Sequence, residues 1–221
     1  MSSPPSRRTL WLALYAIAMG LLEASVVLYL RELFYPHGFR FPLVPLPPRV
    51  ALVEVAREGC TVVMLLSVAV LSRTDRLDAF FVFAFLFGVW DLVYYAGLKL
   101  LLGWPASWFT WDILFLIPVP WAGPVIAPVA VSLLFIATFL IHARLRSRQL
   151  FLVPRPSEWV SAIAGALLVT VAFCWRFRAA LTDPDPGGFP WWMFSAGVVL
   201  GAAPFVRAAR RALPERPAVG S

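Results

Sequence analysis

Charged residues are scarce in this sequence. Only 14% of its 221 residues are Asp, Glu, Lys or Arg, and 61% are hydrophobic, whereas soluble domains usually carry roughly 25% charged residues. The mean hydropathy is accordingly high, at +0.80. These values exclude a fold whose main solvent is water, and they indicate a membrane protein.

Histidine and cysteine are also rare, with two of each. Cys60 and Cys174 lie in separate apolar runs and form neither a CxxC pair nor another metal-binding spacing. His37 and His142 fall at opposite ends of the predicted bundle, which argues against a haem held by both at one end. HExxH, GxSxG and Walker motifs are missing as well, so no motif assigns a catalytic class and the cofactor stays unknown.

The apolar runs are not accompanied by a basic stripe with interleaved aromatic residues, which is the pattern of many single-strand nucleic-acid-binding proteins. The net charge is nevertheless +7. The arginines that produce it flank the apolar runs, where they suit anionic lipid headgroups. We therefore expect membrane lipids, and no nucleic acid, as partners.

Long apolar runs dominate the sequence. As α-helices, runs of about 20 residues cross a hydrocarbon core of about 30 Å. The first run continues past Gly20 without a cleavage site, so we interpret it as a retained helix and not as a signal peptide. The sequence predicts an all-α, polytopic transmembrane bundle in one membrane domain, residues 1–221, with helices at about 10–30, 50–71, 79–102, 113–142, 158–177 and 191–206.

The fourth run, from Ile113 to His142, is too long for a simple span and contains four prolines, at 118, 120, 124 and 128. This pattern predicts a helix that is broken or kinked. Discontinuous helices often line the substrate sites of transporters. A tolerated kink within a packed bundle is the alternative interpretation.

Basic residues are distributed unevenly between the two sides of the predicted bundle. With six helices, one side receives Arg7, Arg8 and ten other arginines, including four in the C-terminal tail, out of 19 basic residues. Cytoplasmic loops of membrane proteins carry such an excess of positive charge. The bias predicts that both termini are cytoplasmic and that the loops after helices 1, 3 and 5 face outward.

The second helix carries a polar stripe. Glu54, Arg57, Glu58 and Thr61 are spaced at i, i+3, i+4 and i+7, which places them on one helical face. A charged group exposed to hydrocarbon costs at least about 2.5–3.5 kcal/mol on insertion scales. The stripe is therefore expected to face the bundle interior or water.

Polar residues of neighbouring helices fall in the same half of the membrane, because successive helices alternate direction. The first helix contributes Glu23 near its end, the third contributes Asp91 near its middle, and Asp112 opens the fourth run. These positions predict that the polar side chains converge. The predicted ligand-binding set is Glu23, Arg31, Glu54, Arg57, Glu58, Asp91, Tyr95, Lys99 and Asp112.

Several interpretations of this set stay open. Arg57 and Lys99 could neutralise the carboxylates in a purely structural network, although desolvation makes such networks poor stabilisers. The set could instead bind or transport a small polar ligand, an ion or a lipid headgroup. An intramembrane enzyme for a lipid or isoprenoid, using carboxylate acid and base or a divalent metal with His37, is the alternative. A structural subunit of a membrane complex is the remaining hypothesis.

Part of the sequence resembles a family of uncharacterised bacterial multi-pass membrane proteins. The resemblance covers roughly residues 20–135 and is carried by LREL, by VAREGCTVVML and by FGVWDLVYYAGLKLLLGWPASWFTWDILFLIPVPWAGPVIAP. It implies a location in the bacterial inner membrane. It brings no established activity with it.

Overall fold

Within residues 7–213, six helices are long and apolar enough to cross a membrane. The computed structural model describes residues 7–213, so Arg216, which contributed to the charge bias, lies outside the described residues. The architecture is that of an all-α, multi-pass membrane protein, as predicted. The long helices are α1 Arg7–Phe34, α2 Pro48–Ser72, α3 Arg76–Leu102, α4 Ile126–Ser147, α5 Pro156–Cys174 and α7 Trp191–Ala212, and a short helix, α6 Phe177–Thr182, extends the fifth span.

The fourth run is interrupted, as its prolines predicted, but the interruption is a hairpin that precedes the helix and not a kink in a helix that begins at Ile113. That part of the chain forms an antiparallel hairpin of β1, Trp111–Phe115, and β2, Trp121–Pro124, and α4 begins only at Ile126. Proline lacks a backbone N–H and disrupts helix interiors. Two of the four prolines lie in the connection between the strands, the third ends β2, and Pro128 occupies the first turn of α4, where an N–H would have no helical partner.

Helices α1, α3 and α4 pack closely because small residues lie where they cross. A Cβ at Gly20 would lie 2.6 Å from the carbonyl oxygen of Trp90, and a Cβ at Gly88 would lie 2.6 Å from that of Ser132. Helices α5 and α7 form a second close pair, in which a Cβ at Gly165 would lie 2.6 Å from the Gly197 carbonyl oxygen. Such contacts are typical of helix association in membranes.

The two ends of the bundle differ in character. We call the end where α1 and α3 begin the basic end, and the opposite end, which carries the hairpin, the hairpin end. At the basic end, buried Asp78 accepts hydrogen bonds from Arg8 at 2.6 Å and from the Thr74 backbone at 2.8 Å, and His142 lies 3.3 Å away. These contacts connect α1, α3 and α4. The functional residues predicted from the sequence lie toward the other end.

Asp75 is the residue that directly precedes α3 at the basic end. Its side chain accepts a hydrogen bond from the backbone N–H of Asp78 at 2.8 Å, which is the usual role of an N-cap residue. It also pairs with Arg146 of α4. The backbone hydrogen bond, with help from Arg146, holds the pKa of Asp75 below its ordinary value. Asp75 therefore stays ionised at neutral pH and both caps α3 and ties it to α4.

Substitution of Gly165 by alanine tests the close packing of α5 and α7. The added methyl group would meet the α7 backbone, so we expect a cost of about 1–3 kcal/mol and a lower melting temperature in detergent. Gly59→Ala is the matched control, because a Cβ at Gly59 meets no atom within 4 Å and alanine favours a helix over glycine by about 1 kcal/mol. Equal melting temperatures for the two variants would contradict this packing.

Candidate functional site

A cavity of about 510 Å³ lies at the hairpin end, between α1, α2, α3, strand β1 and the loop that joins α1 to α2. The loop is anchored to α6 by the Leu43 N–H, which donates to the Ala180 carbonyl at 2.9 Å. Eight of the nine predicted residues line the cavity. They are Glu23, Arg31, Glu54, Arg57, Glu58, Asp91, Tyr95 and Asp112.

Lys99 is the predicted residue that lies elsewhere. Its ammonium group donates to the carbonyl oxygens of Gly103 at 3.1 Å and Pro105 at 2.9 Å. Lys99 follows Asp91 by eight residues, or roughly 12 Å along α3, so its long side chain reaches the unpaired carbonyls beyond the last turn. The hypothesis that Lys99 neutralises the carboxylate cluster was therefore wrong.

Arg57 is shared between two carboxylates. Its Nη1 bonds to Glu23 of α1, and its Nε donates to Glu54 of α2 at 2.9 Å. The Thr61 hydroxyl lies 3.4 Å from the second oxygen of Glu23 and 3.2 Å from the Arg57 carbonyl. The polar stripe of α2 thus faces α1, and one guanidinium holds the two helices together.

Arg31 forms a second pair, with Asp112 of the hairpin, at 3.0 Å. The Tyr94 hydroxyl donates to the other oxygen of Asp112 at 3.3 Å. The guanidinium lies over the rings of Trp104, at 3.8 Å, and Phe39, at 4.6 Å, so the negative faces of both rings attract its positive charge. Burial raises the pKa of Asp112, while Arg31 acts in the opposite direction.

Glu58 and Asp91 are held differently. Glu58 accepts a hydrogen bond from the Leu116 N–H at 2.9 Å, and Asp91 accepts one from the Ser132 hydroxyl at 2.8 Å. Both residues are less than 9% exposed, yet within residues 7–213 neither is part of an ion pair with Arg or Lys. A structural network of ion pairs therefore explains Glu23, Glu54 and Asp112. It does not explain Glu58 and Asp91.

Three contributors to the site were missed by sequence reasoning. Ser132 lies in an apolar helix without any distinguishing pattern, and the Leu116 N–H is available only because the hairpin interrupts helical hydrogen bonding. Trp104 follows the third predicted helix, on the side of the membrane where Arg31 follows the first. This shared position of a tryptophan and an arginine was a signal that a search for cation–π partners could have used.

The geometry gives no support to a metal held together with His37. In the part of the chain that the structure describes, no three His, Cys, Asp or Glu side chains are grouped so that they could hold a metal ion. His37 is exposed on the loop between α1 and α2. The carboxyl groups of the cavity are instead engaged with guanidinium, hydroxyl and backbone donors.

Comparison with protein-family models, with curated proteins and with solved structures finds no match to this chain. The resemblance described from the sequence therefore stays a prediction. The geometry of the cavity is the feature that indicates a function.

Arg57→Met tests the pairing of α1 with α2. The substitution leaves two carboxylates without a cation, and breaking a buried pair costs about 3–5 kcal/mol. Because the Arg57 side chain is 22% exposed, we expect a smaller loss, of about 1–3 kcal/mol, seen as a lower melting temperature in detergent. The triple variant Glu23→Gln, Glu54→Gln, Arg57→Met removes the unpaired charges and should recover most of the loss. If the triple variant is no more stable than Arg57→Met, the pairing does not connect the helices as described.

Proposed function

We propose that this integral membrane protein binds a small ligand carrying a positively charged group in the cavity at the hairpin end, as a receptor or carrier for that ligand. The observation that carries the proposal is an excess of carboxyl groups over guanidinium groups in the cavity lining. Five carboxyl groups line the cavity against two guanidinium groups. Arg31 and Arg57 are already engaged with Asp112 and with the Glu23 and Glu54 pair.

The excess of carboxyl groups is important because the protein around the cavity is largely apolar. A buried carboxylate without a counter-charge is costly, so the group takes up a proton or acquires a cationic partner. Glu58 and Asp91 are held in place by hydrogen bonds from the Leu116 N–H and the Ser132 hydroxyl, which are neutral donors. A ligand with an ammonium-like group would supply the missing positive charge. An anionic ligand would add negative charge beside the carboxyl groups.

Neutralisation of Glu58 and Asp91 tests the proposal. The probes are decyltrimethylammonium and, as its anionic counterpart, decyl phosphate, each titrated into purified protein in nanodiscs. We expect the cation to bind wild-type protein and the anion not to bind. Glu58→Gln and Asp91→Asn should each weaken cation binding about 10- to 100-fold, because a hydrogen-bonded charge contributes about 1.5–3 kcal/mol.

Glu32→Gln is the matched control for this experiment. Glu32 is exposed near the end of α1 and does not line the cavity, so its removal lowers the negative charge at the same end of the bundle without touching the site. Cation binding that is weakened equally in all three variants would show a general charge effect and contradict the assignment. Conversion of an added lipid to a product, lost in Asp91→Asn, would favour the enzyme hypothesis.

The same proposal includes the location of the protein. The resemblance over residues 20–135 supports the bacterial inner membrane, and the excess of arginine at the basic end supports cytoplasmic termini. The cavity would then face outward. The structure is compatible with either orientation, since inversion of the bundle changes only the compartment that the cavity faces.

Reporter fusions in a bacterial host test the orientation. Alkaline phosphatase, which is active only outside the cytoplasm, should be active when inserted after Asp185 in the loop between α6 and α7. Green fluorescent protein fused to the C-terminus should be fluorescent, because it folds in the cytoplasm. The reverse pattern of activities would place the basic end outside and overturn the proposed orientation.

A further inference from the structure

A second cavity, of about 350 Å³, lies between the α3 and α4 pair and the α5 and α7 pair. Its walls are almost wholly apolar and combine aromatic rings, such as Phe87 and Phe135, with small residues of α5 and α7. A Cβ at Gly201, which lines it, would meet no atom within 4 Å. The small residues that bring α5 and α7 together thus also leave a crevice facing α4. We call this cavity the apolar crevice.

The apolar crevice and the charged cavity share part of their walls. Asp91, Leu114 and Phe115 line both. Among the residues that the structure describes, Asp91 is the one ionisable residue of the crevice lining, and the Ser132 hydroxyl of α4 donates a hydrogen bond to its carboxyl group. A molecule with its polar group at Asp91 would therefore have carboxyl groups on one side and a hydrocarbon-lined space on the other.

The chemistry of the crevice identifies its occupant. An apolar space offers water too few polar partners to hold it. The molecules that surround a membrane-spanning bundle are lipids, and a hydrocarbon chain suits a narrow space lined by aromatic and aliphatic side chains. The adjoining carboxyl groups favour a cationic polar end for such a molecule.

We propose that the apolar crevice binds the hydrocarbon chain of an amphiphile whose cationic group lies among the carboxyl groups of the charged cavity. The inference rests on the proposed function and specifies its ligand class as a single-chain or lipid-like amine. The carboxyl groups select for positive charge, and the crevice selects for an attached chain. Small hydrophilic cations then bind weakly.

The test compares two cations that differ only in the chain. Tetramethylammonium carries the charged group alone, and decyltrimethylammonium carries a chain that can enter the crevice. In nanodiscs, wild-type protein should bind the decyl compound at least tenfold more tightly than tetramethylammonium, after correction for its partition into the lipid of empty nanodiscs. Equal corrected affinities would overturn the proposal.

Two phenylalanine substitutions on one helix locate the chain. Ala164 and Ala166 of α5 are both exposed, but Ala166 lines the crevice and Ala164 lines neither cavity. Ala166→Phe should weaken decyltrimethylammonium binding about tenfold and leave tetramethylammonium binding unchanged. Ala164→Phe should match wild-type protein with both compounds. Decyl binding that is unaffected by Ala166→Phe would overturn the crevice as the chain site.

Ala202→Phe places the same ring in the crevice from α7, the helix beside α5, and serves if Ala166→Phe does not fold. The two proposals fail in different ways. Wild-type protein that binds neither cation overturns the proposed function and this inference with it. Wild-type protein that binds both cations, with no effect of either crevice substitution, overturns this inference alone.

Discussion

The arrangement of the bundle follows from the shelter that charged side chains need inside an apolar environment. Arg57 lies on a helix that must cross hydrocarbon, and its guanidinium is stabilised there only by turning toward Glu23 and Glu54. That requirement fixes the face that α2 presents to α1. With α2 oriented in this way, Glu58, one turn from Glu54, also faces inward and meets the hairpin through the Leu116 N–H.

The backbone of the hairpin also needs partners inside the bundle. Backbone N–H and C=O groups that are buried among apolar helices need hydrogen-bond partners inside the protein. Strand pairing satisfies part of the hairpin, Glu58 accepts from Leu116, and the Val125 N–H donates to the Thr110 carbonyl at 3.0 Å. In return, the hairpin carries Asp112 to Arg31. Backbone satisfaction and side-chain pairing thus build the same cavity wall.

Sequence reasoning reached the convergence of the polar residues because helical periodicity and alternating helix direction are local rules. The spacing of Glu54, Arg57 and Glu58 determines a common face whatever the tertiary structure. The spacing along α3 could not show that Lys99 lies outside the cluster. Where its side chain reaches depends on where α3 ends and on which backbone carbonyls lack a partner there. The prolines of the fourth run indicated an interruption. Whether they produce a kink or a hairpin depends on partners from α2 that only the folded chain provides.

The charge of the cavity connects the fold with the proposed role. Stable packing would require each carboxylate to be paired, as Glu23, Glu54 and Asp112 are, and two carboxyl groups exceed that need. The apolar crevice beside Asp91 is likewise unnecessary for a well-packed bundle, since interiors normally fill such space. Both features become intelligible together when the missing component is a cation attached to a hydrocarbon chain.

The most direct test of this account is an electron cryomicroscopy structure of the protein in nanodiscs with decyltrimethylammonium present. The account predicts density for the ammonium group in contact with Glu58 and Asp91, continuous with chain density along α5. The account would be contradicted if the compound gave density only at the lipid-exposed surface. It would also be contradicted if Arg57 or Lys99 lay against Glu58 and Asp91 in place of the ammonium group.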